Sequence, residues 1–296
     1  HDIDPYTRFD STITFSDFEE VGIEEAYVSY SRLPLDTAGR IGRFRLPIGL
    51  ANPYHRDQLF SVDEPLVVQR YLGAEGLFRT GVELSRFLPQ FNDRFTQLLR
   101  VGVVEGGIGE EGTLFGESRQ DPSYYGRFRN EFEVSPSGTL QLGISYLAGN
   151  SGETSDEFDV QAWGFDAQYQ HQFGSYQQLT LQAETMLQDR DDPLTADAED
   201  NPFGYYLLAN YRATQRWGFG GRYDDVEVAN FNPSDPDEPH LRDGEKAYSA
   251  WLTFHQSEFA RWRMQYQHVE LADGLDDDRL MLQGTFSIGW HQHTVK

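Results

Sequence analysis

SGTLQLGISYLAGNSGE, Ser137–Glu153, is the stretch whose reading decides the fold. Leu140, Leu142, Ile144, Tyr146 and Ala148 share one parity, and Gln141, Gly143 and Ser145 share the other. Leu147 falls out of pattern near the end. Apolar residues at every second position make a β-strand with two unlike faces. A strand in a water-soluble protein buries the apolar face in a core. A membrane strand turns that face to lipid and keeps the polar face wet.

Fourteen segments of this kind are read along the chain. The first half gives Pro5–Ser16, Glu24–Leu33, Gly39–Pro47, Leu77–Leu88, Phe95–Glu105, Tyr124–Ser135 and Thr139–Ala148. The second half gives Phe158–Phe173, Gln177–Gln188, Phe203–Trp217, Gly218–Val228, Ala247–Gln256, Arg261–Leu271 and Arg279–His291. Strands of globular proteins average about 5–6 residues. A tilted strand that crosses a bilayer needs about 9–11, and most of these reach that length. Their connections alternate between short ones (PLDTA, PQFNDR, PSG, GSY, the WG at Trp217–Gly218, SEFA) and longer polar ones, as in barrels with short periplasmic turns and long extracellular loops. An even strand count puts both ends on the periplasmic side. Aromatics cluster at the short turns: Phe87, Phe91 and Phe95, then Phe173 and Tyr176, Trp217 and Phe219, Phe259 and Trp262. Rings at one level form an interfacial girdle. A barrel of about fourteen strands is too wide to fill with apolar side chains, since about eight already leave room only for side chains or one small ligand. The polar face is therefore read as the inner one. The expected fold is all-β: one closed antiparallel transmembrane β-barrel spanning residues 1–296.

Composition agrees. The formal charge of -24 argues against nucleic acid as a partner. Mean hydropathy is -0.61, and no apolar run is long enough for a transmembrane helix. The absence of cysteine excludes a disulfide framework and thiolate chemistry. Acidic residues gather in Asp189–Pro202, Asn232–Lys246 and Leu271–Arg279, read as solvated extracellular loops open to protease on intact cells. Binding of divalent cations there, bridging to lipopolysaccharide, is the sharper alternative. The first residue is His1, which fits a signal peptide already removed.

Three stretches carry a family resemblance: AGRIGRFRLPIGLANPYH (Ala38–His55), VDEPLVVQRYLGAEGLFRTGVELSRFLP (Val62–Pro89) and GTFSIGWHQHTVK (Gly284–Lys296). They resemble a group of bacterial outer-membrane porin-like proteins, often labelled zinc-regulated or TonB-dependent outer-membrane receptors. The resemblance implies the bacterial outer membrane, with lipid and lipopolysaccharide as surroundings. The chain is too short for a 22-stranded TonB-dependent transporter with its plug. An aromatic last residue is usual in outer-membrane proteins, and this chain ends on Lys296.

The site residues expected from parity are charges on the inner face: Arg43 and Arg45, Arg79 and Glu83, Arg100, Arg127, Arg129 and Glu131, then Arg212, Arg222 and Arg263. Glu25, Glu133, Asp166 and Glu184 are further inward acids. An arginine facing lipid at mid-membrane would cost about 2–4 kcal/mol, so these line water or pair. Ile48–Gly76 is a long and unusually apolar connection, with Leu59, Phe60, Val67, Val68 and Leu72 to bury. DEPLVVQRYLG within it reads as a short helix, with Asp63 as cap, Pro65 in the first turn and Gly73 as terminator. Residues 48–76 are expected to fold into the lumen, with Asp57, Asp63 and Glu64 set across a constriction from the arginines.

The function this supports is a porin-like channel passing small hydrophilic solutes or ions, with a weak lean to anions. A structural or partner-holding barrel, associated with another protein or with copies of itself, is the alternative. An outer-membrane hydrolase is the third reading, but no nucleophile–base motif stands out, so no enzymatic activity is expected. No cofactor is expected, and the His291/His293 pair is only half a metal site.

Overall fold

The structure is a computed structural model that describes residues 1–16, 20–90, 92–106, 121–151, 158–190, 201–227, 244–272 and 274–287. Its strands are β1 (Thr7–Ser16), β2 (Glu20–Leu33), β3 (Thr37–Arg45), β4 (Phe78–Phe87), β5 (Phe95–Val104), β6 (Ser123–Ser135) and β7 (Gly138–Ser151). There follow β8 (Phe158–Gln172), β9 (Gln178–Arg190), β10 (Phe203–Arg212), β11 (Trp217–Val226), β12 (Glu245–His255), β13 (Ala260–Glu270) and β14 (Asp276–Phe286). They form one 14-stranded antiparallel sheet in chain order. A pairing of β1 with β14 is not among those described.

The register keeps the alternation aligned from strand to strand. Ile41, Val82, Val103 and Tyr124 lie in one row on the outer face, all exposed. Leu142, Ile144, Leu181, Leu207, Leu252 and Met264 continue that apolar face. Aromatics border it at both ends. At the turn end, Tyr211 packs on Phe173 and Phe219, Trp217 on Phe254, and Trp262 on Phe286. At the loop end, Phe203, Tyr205, Tyr223, Tyr248 and His268 make a second series, unseen in the sequence.

The core lies on the inner face, between the strands and residues 46–77. Leu46, Ile48, Leu59, Leu66, Val67, Val68 and Leu72 cluster there with Leu147, Val160, Ala162, Met186, Val226, Ala247 and Val269. Leu147 broke the alternation because its half of the inner face is apolar, and it is fully buried. Burial of this kind contributes about 1.5–3 kcal/mol per large side chain.

Three local expectations change. The turn between β10 and β11 is Ala213–Arg216, not Trp217–Gly218, because the Thr214 hydroxyl accepts the N–H groups of Arg216 and Trp217. Asp276–Asp278 begin β14 and are not loop. The helix α1 is Leu66–Tyr71, and Asp63 does not cap it. The Leu66 N–H instead donates to the distant Asp224 carboxylate at 2.9 Å. Gly73, at φ 116, ends it as expected. The acidic stretches 191–200 and 228–243, together with His291 and His293, lie outside the described residues.

Gly42 sits at φ 129, and a Cβ there would lie 2.3 Å from the Ala26 carbonyl oxygen. Gly42→Ala is expected to lower the urea midpoint of unfolding by the equivalent of about 1–3 kcal/mol, whereas Gly126→Ala, in open space at 4.0 Å, leaves it nearly unchanged.

Candidate functional site

Residues 46–77 leave β3 and return to β4 through a closed neck. The Leu46 N–H donates to the Leu77 carbonyl at 3.0 Å. The fully buried Asn52 side chain donates to the Leu46 and Leu77 carbonyls at 2.8 and 3.1 Å and accepts the Leu77 N–H at 2.6 Å. One amide thereby satisfies three main-chain groups that are cut off from water.

Beyond the neck the segment is fixed to strand after strand. The Glu184 carboxylate accepts the N–H groups of Leu50 and Ala51 at 2.9 and 3.3 Å, and the Tyr206 hydroxyl at 3.1 Å. Gly49, at φ 65, lets the chain come this close, since a Cβ there would be 1.7 Å from Glu184 Oε1. A second glycine, Gly204 on β10, leaves the space into which Val67 and Tyr71 of α1 fit. Arg70 of α1 makes a two-point contact with Glu245 at 2.7 and 3.0 Å.

Arg222 is the densest anchor. It donates to Asp224 at 2.7 Å, to the Ser61 hydroxyl at 2.7 Å, to Asp63 Oδ2 at 3.0 Å, and to the carbonyls of Asp63 and Glu64. Asp63 also accepts from Gln265 and Gln267 at 2.6 and 2.7 Å. Burial works against the Asp63 carboxylate, but the Arg222 charge and these donors outweigh it and hold its pKa below the ordinary value. Glu64 goes the other way: burial raises it despite Arg56 and Arg45 nearby.

The same segment reaches toward both ends of the sheet. His55 is gripped on β2, with Nδ1 2.6 Å from Glu24 and Nε2 2.8 Å from Glu25. Asp57 gives its carbonyl to Arg261 of β13, and Val62 donates to Gln265 on the same strand. Residues so close in sequence can touch β2 and β13 only if the sheet curls around them.

Arg45, Arg222, Arg263, Asp57, Asp63 and Glu64 are thus gathered around the segment. Asp63 and Glu64 are ion-paired at contact range with Arg222, Arg45 and Arg56 and do not stand across a gap. Arg127 is bound to Asp166 at 2.7 and 3.0 Å. Glu83 takes Arg40 at 3.0 Å and the Tyr125 hydroxyl at 2.7 Å. Arg79, Arg100, Arg129 and Glu131 lie on the inner rows of β4–β6, apart from the segment, and Arg212 lies at the turn end of β10. Arg43 is the exception. Its register opposite Thr80 puts it on the outer face with Ile41 and Val82, where its guanidinium covers the Phe78 ring at 4.5 Å. Arg40, of the other parity, takes the inward place. Arg45 ends β3 and turns inward with the chain. Asn52, Arg40, Asp224, Gln265 and Gln267 were not singled out by sequence. Only the inward parity of the last three and the Asn in a turn-rich stretch marked them.

No family model and no curated protein matches the chain. Solved structures do. The anion-selective porin from Comamonas acidovorans aligns with TM-score 0.59 and 11% identity over 91% of this chain and 76% of that one. The outer membrane channel DcaP of Acinetobacter baumannii gives 0.57 and 11% over 95% and 81%. Pseudomonas putida OprB gives 0.55 and 13% over 89% and 72%. The chain has the porin fold. At these identities the likeness is one of fold. None of the three is named for zinc regulation or TonB dependence, so those labels gain no support.

Paired with Glu24 and then Glu25, His55 has its pKa raised from 6.5 to about 9. A raised value means the clamp on β2 holds in full below the ordinary pKa and is lost as pH climbs through about 9. Limited proteolysis within residues 53–58 is expected to speed up above that pH. In His55→Phe it is expected to be fast at every pH.

Proposed function

We propose that β1 closes on β14 to make a barrel in the bacterial outer membrane, a passive channel for small hydrophilic solutes and ions, with residues 48–76 narrowing its lumen. One observation carries the reading: the apolar outer face is bordered by aromatics at both ends, while the buried charges Glu184, Arg222, Asp224 and Arg263 sit on the inner face and hold a segment there. Soluble folds have no use for that inversion, and a barrel in lipid does.

The partner-holding alternative needed the apolar residues of segment 48–76 to cover another protein. They are buried against the chain's own strands instead, which favours the channel. Space along the inner face supports it too. A cleft of 510 Å³ runs beside Arg8, Ser29, Ser31, Arg40, Glu83 and Ser85. The further lining charges we assign are Arg79, Arg100 and Arg129. Arg100 stands directly opposite Arg127 in the register, and Arg127 is already committed to Asp166. Fixed arginines in a wet constriction enrich anions, the preference named for the Comamonas porin.

Planar-bilayer recording tests this. Purified protein is expected to give discrete unit conductance, and deletion of Leu59–Leu72 to raise it severalfold. Arg100→Gln with Arg129→Gln is expected to lower the ratio of anion to cation permeability. Absence of conductance from correctly folded protein, intact and deleted alike, overturns the channel reading.

A further inference from the structure

The turn end of β1–β4 keeps an open cleft of 510 Å³ on the inner face. Pockets that take small molecules run from about 300 to 1,000 Å³. Four neighbouring strands and residues 2–6 line this one, and segment 46–77 contributes nothing to it. The register sets the lining side by side. Arg8 stands opposite Ser29, Ser29 opposite Arg40, and Arg40 opposite Glu83. One inward step nearer the turns, Ala38 stands opposite Ser85.

The outer wall of the cleft is built by the chain itself. Residues 1–4 fold back along the free edge of β1, where the Phe9 N–H donates to the His1 carbonyl and the Ile3 N–H to the Thr7 carbonyl, both at 2.9 Å. Asp4 Oδ1 accepts the N–H groups of Tyr6 and Thr7 at 2.8 and 2.9 Å. Arg32 donates to the Tyr6 hydroxyl at 2.9 Å and fixes that ring at the rim. The edge groups of Thr7 and Phe9 are used in this way, so the wall stands without β14.

The charges of the floor are already matched. Arg8 lies 2.7 Å from Asp10. Arg40 reaches both oxygens of Glu83 at 3.0 Å, and Glu83 also takes the Tyr125 hydroxyl. A lone ion entering here meets a charge of its own sign beside each opposite one. What is left over is hydrogen-bonding capacity. The Ser85 hydroxyl has no partner among the described residues. The Ser29 and Ser31 hydroxyls donate to the Arg8 and Tyr6 carbonyls at 3.4 and 3.2 Å and keep their lone pairs. Arg8 gives Nε and Nη2 to Asp10 and has Nη1 to spare. Donors and acceptors thus alternate around the cleft with no surplus charge, and neighbouring hydroxyl groups on one carbon frame, each both donor and acceptor, match that pattern.

We propose that this cleft is a binding subsite for a small neutral polyhydroxy compound, a sugar or polyol, held by Arg8, Ser29, Ser31 and Ser85 over the Arg40–Glu83 pair. The proposal rests on the channel reading and names the class of solute that lingers on the turn side of the lumen.

The test uses the intact chain in detergent with glucose as probe, followed by saturation-transfer NMR. Wild type is expected to bind glucose saturably. Ser31→Trp, at an exposed position, fills the cleft and is expected to weaken binding tenfold or more, with the unfolding midpoint of wild type. Arg8→Gln, which keeps most of the side chain, is expected to weaken it severalfold and serves as the comparison should Ser31→Trp fold poorly. Ser175→Trp, in the turn between β8 and β9, binds as wild type does. Sorbitol that displaces glucose supports the polyol part, and sorbitol without effect overturns that part. Glucose displaced by acetate or by choline assigns the cleft to charged solutes and overturns the neutral class. Glucose that does not saturate wild type, or that binds Ser31→Trp and Arg8→Gln as well as wild type, overturns the subsite. Conductance of the same preparations reads the channel separately: a conducting pore without glucose binding refutes the cleft alone, and glucose binding without conductance refutes the channel alone.

Discussion

A guanidinium with no route to water has to be surrounded by acceptors, and Arg222 is the side chain on which the rest of this structure depends. Its side chain is fully buried, yet its donors reach two carboxylates, a hydroxyl and two carbonyls. Breaking a buried pair by removing one partner costs about 3–5 kcal/mol, because the other charge is left stranded. Arg222 and Asp224 come from a strand, and Ser61, Asp63 and Glu64 from the segment, so neither part satisfies its own charges alone. The same logic holds for Glu184, whose Oε2 takes two main-chain N–H groups of the segment together with the Tyr206 hydroxyl. Asp166, Glu184, Tyr206 and Asp224 occupy one lateral row of the inner face. That row is the seat on which the segment rests.

Strands were legible because period two is a local property. From Phe95–Val104 to Ala260–Glu270 the expected and observed strands differ by a few residues. The long apolar connection was legible from composition, and its helix from Pro65 and Gly73. What could not be read was partnership. Asp63 looked like a helix cap because a cap needs only near neighbours, but Gln265 and Gln267, 202 and 204 residues away, compete for the same oxygens and win. Arg43 and Arg45 looked alike by parity. They differ because β3 ends at Arg45, where the chain turns inward, while Arg43 keeps the register of the outer face.

The inner face is two-zoned. Toward the loops it carries Leu147, Val160, Ala162, Val226, Ala247 and Val269, which receive the segment. Toward the turns it carries Gln168 with Gln182, Asn210, Arg212 and Thr253. A sheet that held only water inside would have no reason for the first zone, and one packed with protein throughout would have no reason for the second. The sequence exception at Leu147 is the visible edge of that division.

The neck held by Asn52 also bears on how the molecule comes to be assembled. Its contacts close over 6 and 25 residues, while the anchors of Leu50 and Ser61 close over 134 and 202. Short closures form first because less chain entropy stands against them. A segment already pinched into a compact knob then offers later strands a surface to lay down on. Pushing the same knob into a finished wall would require stripping water from Arg222, Asp224 and Glu184 before any replacement partner arrived. In that order of closure the strands would be laid around the segment, which would serve them as a mandrel.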